Sequence, residues 1–188
     1  MRQDLNIDRN WTLFLDRDGV INHKIEGNYV KCWNEFDFIE GSLKAISNLS
    51  KIFNKIIVIT NQRGIGKGLF SLEDLTLIHD KMLLEVKNNF GKIDKIYFCP
   101  DVSDSSEFRK PNIGMGINAK SDFPEINFKK SIMVGDSTSD MMFGYSLGMN
   151  CFLISDSLNK SYETFSSLYE FSEFLINLIV GNLSLHFV

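Results

Sequence analysis

The chain has 188 residues, which fits one domain and leaves little room for a second independent core. Its 44% hydrophobic and 23% charged residues are typical of a globular protein, and its net charge of -4 argues against broad nucleic-acid binding, which needs a basic face. Its three cysteines are widely spaced and predict no disulfide framework. No segment has the about 18 consecutive apolar residues that a membrane span needs, and the N-terminus has no apolar signal core. We therefore expect a cytoplasmic protein with no membrane partner.

Predicted strands and helices alternate along the chain. In chain order, apolar runs predict strands over Thr12–Leu15, Ile56–Ile59, Lys95–Phe98, Ser131–Val134 and Cys151–Ile154. Apolar residues at helical spacing predict helices over about 40–53, 71–90, 139–147 and 162–180. This alternation predicts a single α/β domain over residues 1–188, with a mostly parallel five-stranded sheet, a core over about 11–155 and the last helix packed on it.

Polar residues follow the predicted strands at the points where those strands end. The first strand leads into Asp16-Arg17-Asp18-Gly19, the second into Thr60-Asn61-Gln62, and the fourth into the segment Gly135–Asp140. The loop after the third strand ends in Arg109-Lys110-Pro111. Turn, cap or surface chemistry explains each segment alone, but parallel sheets bind ligands outside the carboxyl ends of their strands. The four segments together therefore predict one ligand site.

The same segments resemble the signature motifs of the haloacid dehalogenase-like phosphatase superfamily over about residues 12–154. The motifs are Asp16-x-Asp18-Gly19-Val20, the strand-terminal Thr60, Lys110 and Gly135-Asp136-x-x-x-Asp140. Longer strings are similar to the branch that contains D-glycero-D-manno-heptose 1,7-bisphosphate phosphatase and the histidinol-phosphatase domain; they are Phe14–Asn22, Thr60–Gly68 and Arg109–Pro111. The resemblance implies a three-layer αβα Rossmann-like fold without a cap domain. It also implies a Mg²⁺-dependent phosphomonoesterase.

The resemblance implies distinct roles for the signature residues. Asp16 is expected to attack phosphorus and form an aspartyl-phosphate, and Asp18 to protonate the leaving alkoxide and then deprotonate water. Thr60 and Lys110 are expected to bind the phosphoryl group and stabilise its developing charge. A carboxylate oxygen of Asp16, the backbone carbonyl of Asp18 and the side chain of Asp136 are expected to bind Mg²⁺, which prefers oxygen ligands.

Other residues are expected to surround this centre. Asp140 is expected to orient the metal ligands or the lysine rather than to bind the ion. The residues expected to bind substrate are Asn61, Gln62, Arg63 and Arg109, with Glu26 and Tyr29 from the polar segment that follows the first motif. One helix fills most of the gap before Thr60, and a helix and a strand fill the gap before Lys110. Neither gap holds a cap domain, so an open site is expected.

Several features receive no catalytic role from the sequence. Arg17 has no assigned role and is expected to point away from the metal, and His79 is expected to be structural. The run Gly64-Ile65-Gly66-Lys67-Gly68 fails the phosphate-loop pattern and is predicted to be a flexible turn. Many relatives in the branch carry three Cys and a His in the loop before Arg109, whereas only Cys99 is present here. A structural zinc site takes four ligands, so we expect no zinc and a buried Cys99.

The sequence leaves the substrate open within one reaction class. The strings favour D-glycero-D-manno-heptose 1,7-bisphosphate as the substrate, hydrolysed at its 7-phosphate. We expect a monomer whose partner is a small phosphorylated sugar or a similar metabolite, and not nucleic acid. Histidinol phosphate or another small sugar phosphate is the alternative. A polynucleotide 3′-phosphatase fits less well because the net charge is -4, and a non-catalytic binding module fits less well because Asp16, Asp18 and Lys110 are all present.

Overall fold

The computed structural model describes residues 5–157 and 159–185; residues 1–4, 158 and 186–188 lie outside the description. The strands are β1 (Thr12–Leu15), β2 (Lys55–Asn61), β3 (Lys95–Cys99), β4 (Ser131–Gly135), β5 (Asn150–Ile154) and β6 (Glu163–Phe165). The helices are α1 (Ser42–Ile52), α2 (Arg63–Gly66), α3 (Leu72–Asn88), α4 (Gly114–Asp122), α5 (Thr138–Leu147) and α6 (Leu168–Leu185). The strands form one parallel sheet in the order β3-β2-β1-β4-β5-β6.

Helices cover both faces of this sheet and give the three-layer αβα arrangement that the family resemblance implies. Alternate side chains of a strand point to opposite faces, so β1 contributes Leu13 and Leu15 to one apolar cluster and Phe14 to the other. The first cluster includes buried residues of α1, α3 and α6, and the second includes those of α4 and α5. Every residue of β1 and β4 is buried, as expected for central strands of a parallel sheet.

The register of the central strands determines where the functional segments lie. Leu15, the last residue of β1, is opposite Val58 of β2 and Val134 of β4. The backbone N–H of Asp16 then donates to the carbonyl oxygen of Val134 at 2.9 Å. The segments that follow β1, β2 and β4 therefore begin at the same edge of the sheet, as the sequence predicts.

The sheet has six strands where the sequence predicts five, and the last helix is shifted. The predicted helix over 162–180 begins only at Leu168, because β6 precedes it and pairs with β5. Phe165 of β6 packs on Phe152 of β5, with 5.9 Å between their ring centroids. A three-residue strand is too short to show an alternating pattern, and its apolar residue also fits the helical spacing of the tail.

Two further helices differ from the sequence prediction. No helix is predicted over α4, which buries only Met115, Gly116 and Ala119 and so lacks a clear apolar stripe. The predicted flexible turn after β2 instead contains α2, a single helical turn closed by a bond from Lys67 N to Arg63 O at 3.1 Å. The described residues contain no cap domain, and none of their helices is long and apolar enough to cross a membrane.

Candidate active site

Lys110 lies at the centre of a buried ion-pair cluster at the carboxyl edge of the sheet. Its Nζ donates to Asp16 Oδ1 at 2.8 Å, to Asp140 Oδ1 at 2.5 Å and to the carbonyl oxygen of Ile59 at 2.7 Å. Burial alone would lower the pKa of Lys110, but the charges of Asp140 and Asp16 outweigh burial and raise it. The side chain is therefore a fixed cation directly beside Asp16.

The position of Asp140 follows from the first turn of α5. The backbone N–H and the hydroxyl of Ser137 donate to Asp140 Oδ2 at 3.0 Å and 2.6 Å, forming a capping box at the start of the helix. The other oxygen, Oδ1, accepts from Lys110. Asp140 is fully buried and both of its oxygens are occupied, so it connects the helix end rigidly to the lysine.

Asn61, at the end of β2, fixes the backbone of Lys110. Its Nδ2 donates to the carbonyl oxygen of Lys110 at 3.1 Å, and its Oδ1 accepts from the N–H of Lys110 at 3.0 Å. These two bonds resemble those between neighbouring strands and use both ends of the amide. The lysine is consequently held at its backbone by Asn61 and at its ammonium group by two carboxylates.

Asp16, Asp136 and Asp140 form an acidic cluster in which one oxygen from each lies within 4.8 Å of the others. Burial raises the pKa of Asp16 to about 8, although the ammonium of Lys110 opposes this. Burial also raises the pKa of Asp136, against the opposing effect of Lys24, whose Nζ donates to Asp136 Oδ2 at 2.7 Å. The cluster brings three carboxylates together with two ammonium groups, those of Lys110 and Lys24, so its lysines do not neutralise it when all three carboxylates are ionised. A divalent cation with oxygen ligands fits such a set of donors.

Gly19 leaves the space that Asp136 occupies. Its φ is +92°, a conformation that favours glycine, and a Cβ built on it would lie 2.2 Å from Asp136 Oδ2. The turn after β1 can therefore approach the carboxylate of Asp136 only because residue 19 has no side chain. This close approach brings the backbone of the first motif to the acidic cluster.

Asp18 lies in a different environment from Asp16. Its two oxygens each accept from Arg17 Nη2 at 2.8 Å, while Asn22 Nδ2 donates to Oδ1 and Gln62 Nε2 donates to Oδ2, each at 2.9 Å. Burial alone would raise the pKa of Asp18, but the charge and hydrogen bonds of Arg17 outweigh it, so the pKa lies below its ordinary value. The two carboxylates of the first motif thus have pKa values shifted in opposite directions: burial favours the neutral form of Asp16, whereas Arg17 favours the ionised form of Asp18.

Comparison with known protein families identifies the family to which this chain belongs. A model of the family described as polynucleotide kinase 3 phosphatase matches residues 12–168. The chain belongs to this family of haloacid dehalogenase-like phosphatases. The resemblance predicted from the four motifs is confirmed.

Similar proteins carry names from one branch of these phosphatases. D-glycero-alpha-D-manno-heptose-1,7-bisphosphate 7-phosphatase of Mycobacterium tuberculosis is 36% identical over 138 residues, which cover 73% of each chain. The relative of the same name from Campylobacter jejuni is 35% identical over 163 residues, covering 87% of this chain and 92% of the relative. The crystal structure of D,D-heptose 1.7-bisphosphate phosphatase from B. bronchiseptica, complexed with magnesium and phosphate, matches with a TM-score of 0.80 and 28% identity over 89% of this chain and 98% of that chain.

The residues of this phosphatase that are predicted to bind substrate fall into two groups. Asn61 and Gln62 are engaged inside the protein, since Asn61 holds Lys110 and Gln62 Nε2 bonds both Asp18 and Thr60 Oγ1, the latter at 2.9 Å. Arg63 and Arg109 lie further out and share one exposed carboxylate. Arg63 Nη2 donates to Asp104 Oδ1, and Arg109 Nε donates to the same oxygen at 3.0 Å. Arg63 Nε and Arg109 Nη1 are buried and have no hydrogen-bond partner among the described residues.

The structure does not bring Glu26 and Tyr29 into the cluster. Glu26 is exposed, and its nearest charged partner is Lys24 at 3.8 Å, which itself bonds Asp136. Tyr29 packs beside Phe70, with 6.3 Å between ring centroids. Neither side chain hydrogen-bonds to Asp16 or Lys110 within the described part of the chain.

Sequence reasoning assigned no role to Arg17 and a merely structural one to His79, yet both belong to the Asp18 network. Arg17 does point away from the acidic cluster, as expected, and its Nη1 lies 3.2 Å from His79 Nε2. The available signal was the position of His79 on the apolar face of α3, between Leu75 and Met82. A polar side chain on a buried helix face requires a hydrogen-bond partner. Cys99 is buried, as predicted, whereas the absence of zinc stays a prediction.

Proposed function

We propose that this chain is a Mg²⁺-dependent phosphomonoesterase that removes the 7-phosphate of D-glycero-D-manno-heptose 1,7-bisphosphate. The observation that supports the reaction best is Lys110, clamped between Asp16 and Asp140 at the carboxyl edge of the sheet. The observation that supports the substrate is that relatives covering most of the chain carry this activity in their names. Another small sugar phosphate, or histidinol phosphate, is the alternative within the same reaction.

In the proposed first step, Asp16 is the nucleophile. Its Oδ1 is bound by Lys110, which leaves Oδ2 to form the bond to phosphorus as the bond from phosphorus to the sugar oxygen breaks. The negative charge of a bound phosphate would shift Asp18 towards its protonated form, and Asp18 then gives this proton to the sugar oxygen as it leaves. The ammonium of Lys110 and the hydroxyl of Thr60 stabilise the charge on the phosphoryl oxygens.

In the proposed second step, water replaces Asp16 on phosphorus. Asp18, now a carboxylate, takes a proton from the attacking water, and the bond between phosphorus and Asp16 breaks to release phosphate. The donors around Asp18 favour its ionised form, which suits a base in this step. The same residue therefore serves as acid and then as base, and Asp16 returns to its starting state.

The proposed Mg²⁺ ligands are the side chains of Asp16 and Asp136 and the backbone carbonyl of Asp18. When bound, the ion neutralises charge on the phosphate and on the carboxylates that face it. Asp140 is proposed to support Lys110 instead, because Lys110 and Ser137 already occupy its two oxygens. We propose that no zinc is needed, since Cys99 is the single cysteine or histidine of its loop.

We propose that Arg63 and Arg109 bind the anionic substrate. Each has a buried N–H group without a partner among the described residues, and the exposed Asp104 pairs with both. A phosphate or hydroxyl group of the substrate can satisfy these donors by displacing Asp104. Glu26 and Tyr29 are proposed to contact the sugar from the entrance. We propose further that the protein acts as a cytoplasmic monomer of one domain.

One observation favours a second candidate, a polynucleotide 3′-phosphatase: the matching family model is described by that activity. The net charge of -4 speaks against it, because binding a nucleic-acid backbone requires a basic surface. The reaction at Asp16 would be the same for both candidates. The two candidates differ only in the molecule from which the phosphate is removed, a small sugar or a nucleic-acid end.

The experiment is phosphate release from a panel of substrates with Mg²⁺ and with EDTA. The panel contains both anomers of the heptose 1,7-bisphosphate, histidinol phosphate, and DNA with a 3′-phosphate. We expect the highest kcat/KM on a heptose bisphosphate, no turnover in EDTA, and no turnover by Asp16→Asn. Preference for the DNA would reject the proposed substrate, and equal rates of wild type and Asp16→Asn would reject the proposed enzyme.

A further inference from the structure

Arg17 is the largest side chain with full burial in the described chain, and the proposed reaction gives it no part. A buried guanidinium is unfavourable unless its N–H groups have partners and its charge is balanced. Placing an arginine between two reacting carboxylates therefore needs a specific reason. Its contacts identify that reason.

The guanidinium of Arg17 grips both oxygens of Asp18. Nη2 donates to Oδ1 and to Oδ2 at 2.8 Å each, and Nε lies 3.3 Å from Oδ1. Asn22 and Gln62 donate to the same two oxygens from other directions. The carboxylate is thus held from three sides by residues outside the acidic cluster, which fixes its orientation.

His79 holds the other end of Arg17. Its Nε2 lies 3.2 Å from Arg17 Nη1, and because arginine only donates, Nε2 must be the acceptor and Nδ1 must carry the proton. Burial lowers the pKa of His79 to about 3, so the ring is neutral and able to accept. Because His79 lies on the buried face of α3, it holds the side chain of Arg17 in a fixed position.

We infer that Arg17, supported by His79, is a positioning residue that holds the carboxyl group of Asp18 in a fixed orientation for its proton transfer to the leaving oxygen of the substrate. This inference rests on the proposed function, in which Asp18 protonates that oxygen. Precise placement of a proton donor matters because general acid catalysis falls off when the donor is misplaced. The competing explanation is that Arg17 only balances the buried charge of Asp18.

Two substrates with different leaving groups separate these explanations. A sugar alkoxide needs a proton to leave, whereas p-nitrophenolate leaves readily without one. The ratio kcat/KM reports the steps up to the departure of the leaving group, so later hydrolysis of the aspartyl-phosphate does not affect it. A positioning role predicts loss on the sugar phosphate alone, and a merely structural role predicts equal loss on both.

The experiment measures kcat/KM of Arg17→Gln, His79→Leu and His79→Gln on the heptose bisphosphate and on p-nitrophenyl phosphate. We expect Arg17→Gln to lower the value for the sugar phosphate by about 100-fold, and the value for p-nitrophenyl phosphate by less than about threefold. His79→Leu removes the acceptor and should lower kcat/KM on the sugar phosphate by about tenfold without lowering it on p-nitrophenyl phosphate. His79→Gln keeps an acceptor, so its kcat/KM on both substrates should remain near that of wild type.

The outcomes separate this inference from the function on which it rests. Equal losses on both substrates, or no loss on the sugar phosphate, would overturn the positioning role while leaving the phosphatase intact. If Arg17→Gln does not fold, the two His79 variants decide the matter by the same ratio. A wild-type chain without activity on either substrate would refute the proposed function and the inference with it.

Discussion

Asp140→Asn separates the support of Lys110 from metal binding. Both oxygens of Asp140 accept hydrogen bonds, one from Lys110 and the other from Ser137, whereas an asparagine has only one accepting end. Either orientation of the amide therefore places an N–H group against a buried donor. An unsatisfied buried donor costs about 1–3 kcal/mol, and the loss of the charged partner of Lys110 adds about 1 kcal/mol. We expect the free energy of unfolding to fall by about 3 kcal/mol.

The assay is urea unfolding in EDTA, with Asp136→Asn as the matched control. Burial raises the pKa of Asp136, and its partner Lys24 is half exposed, so the control should change the free energy of unfolding by less than about 1 kcal/mol. A loss below about 1 kcal/mol for Asp140→Asn, or equal losses for both variants, would refute the assignment of Asp140 as the buried support.

Three further predictions concern the acidic cluster and the Asp18 network. Mg²⁺ should raise the melting temperature of wild type but not of Asp136→Asn, because a ligand stabilises only the state that binds it; differential scanning fluorimetry with and without Mg²⁺ tests this. Gly19→Ala should weaken Mg²⁺ binding, measured by calorimetry, at least about tenfold, because the new Cβ would lie 2.2 Å from Asp136 Oδ2. Gly27 also has a positive φ but has open space around it, so the control Gly27→Ala should bind Mg²⁺ like wild type. Since His79 is neutral in the fold with a pKa of about 3, the unfolded chain takes up a proton as the pH falls below about 6.5, and stability is lost from there towards pH 3. His79→Gln should therefore lose about 2 kcal/mol less than wild type between pH 7 and pH 5 in urea unfolding, and identical losses would contradict the neutral ring.

Strongly patterned segments allowed the central fold and the active-site edge to be predicted. Continuous apolar runs such as Ile56–Ile59 mark buried parallel strands, and the residues that follow them must meet at one edge of the sheet. β6 and α4 could not be predicted in the same way. The first is too short for a period, and the second buries glycine and alanine instead of a stripe of large apolar residues.

The side-chain network around the first motif was less predictable than the motif itself. Asp16 and Asp18 have the same residue type and neighbouring positions, so their opposite pKa shifts depend on which partners the fold supplies. The partner that reaches Asp18 indirectly, His79, comes from a helix 62 residues further along the chain than Arg17. Asn61 and Gln62 illustrate the same limit, since their amides bond the protein itself in the positions where substrate contacts are predicted.

Trapping the covalent intermediate tests the central claim most directly. Asp18→Asn should still be phosphorylated by p-nitrophenyl phosphate, because this leaving group needs no proton, but it lacks the base that activates water for the second step. The measurement is a rapid acid quench during turnover with Mg²⁺, followed by mass spectrometry of the peptides. We predict a phosphoryl group on Asp16 that is missing in EDTA. Phosphate release without any phosphorylated peptide, or with the phosphoryl group on another residue, would contradict the proposed mechanism.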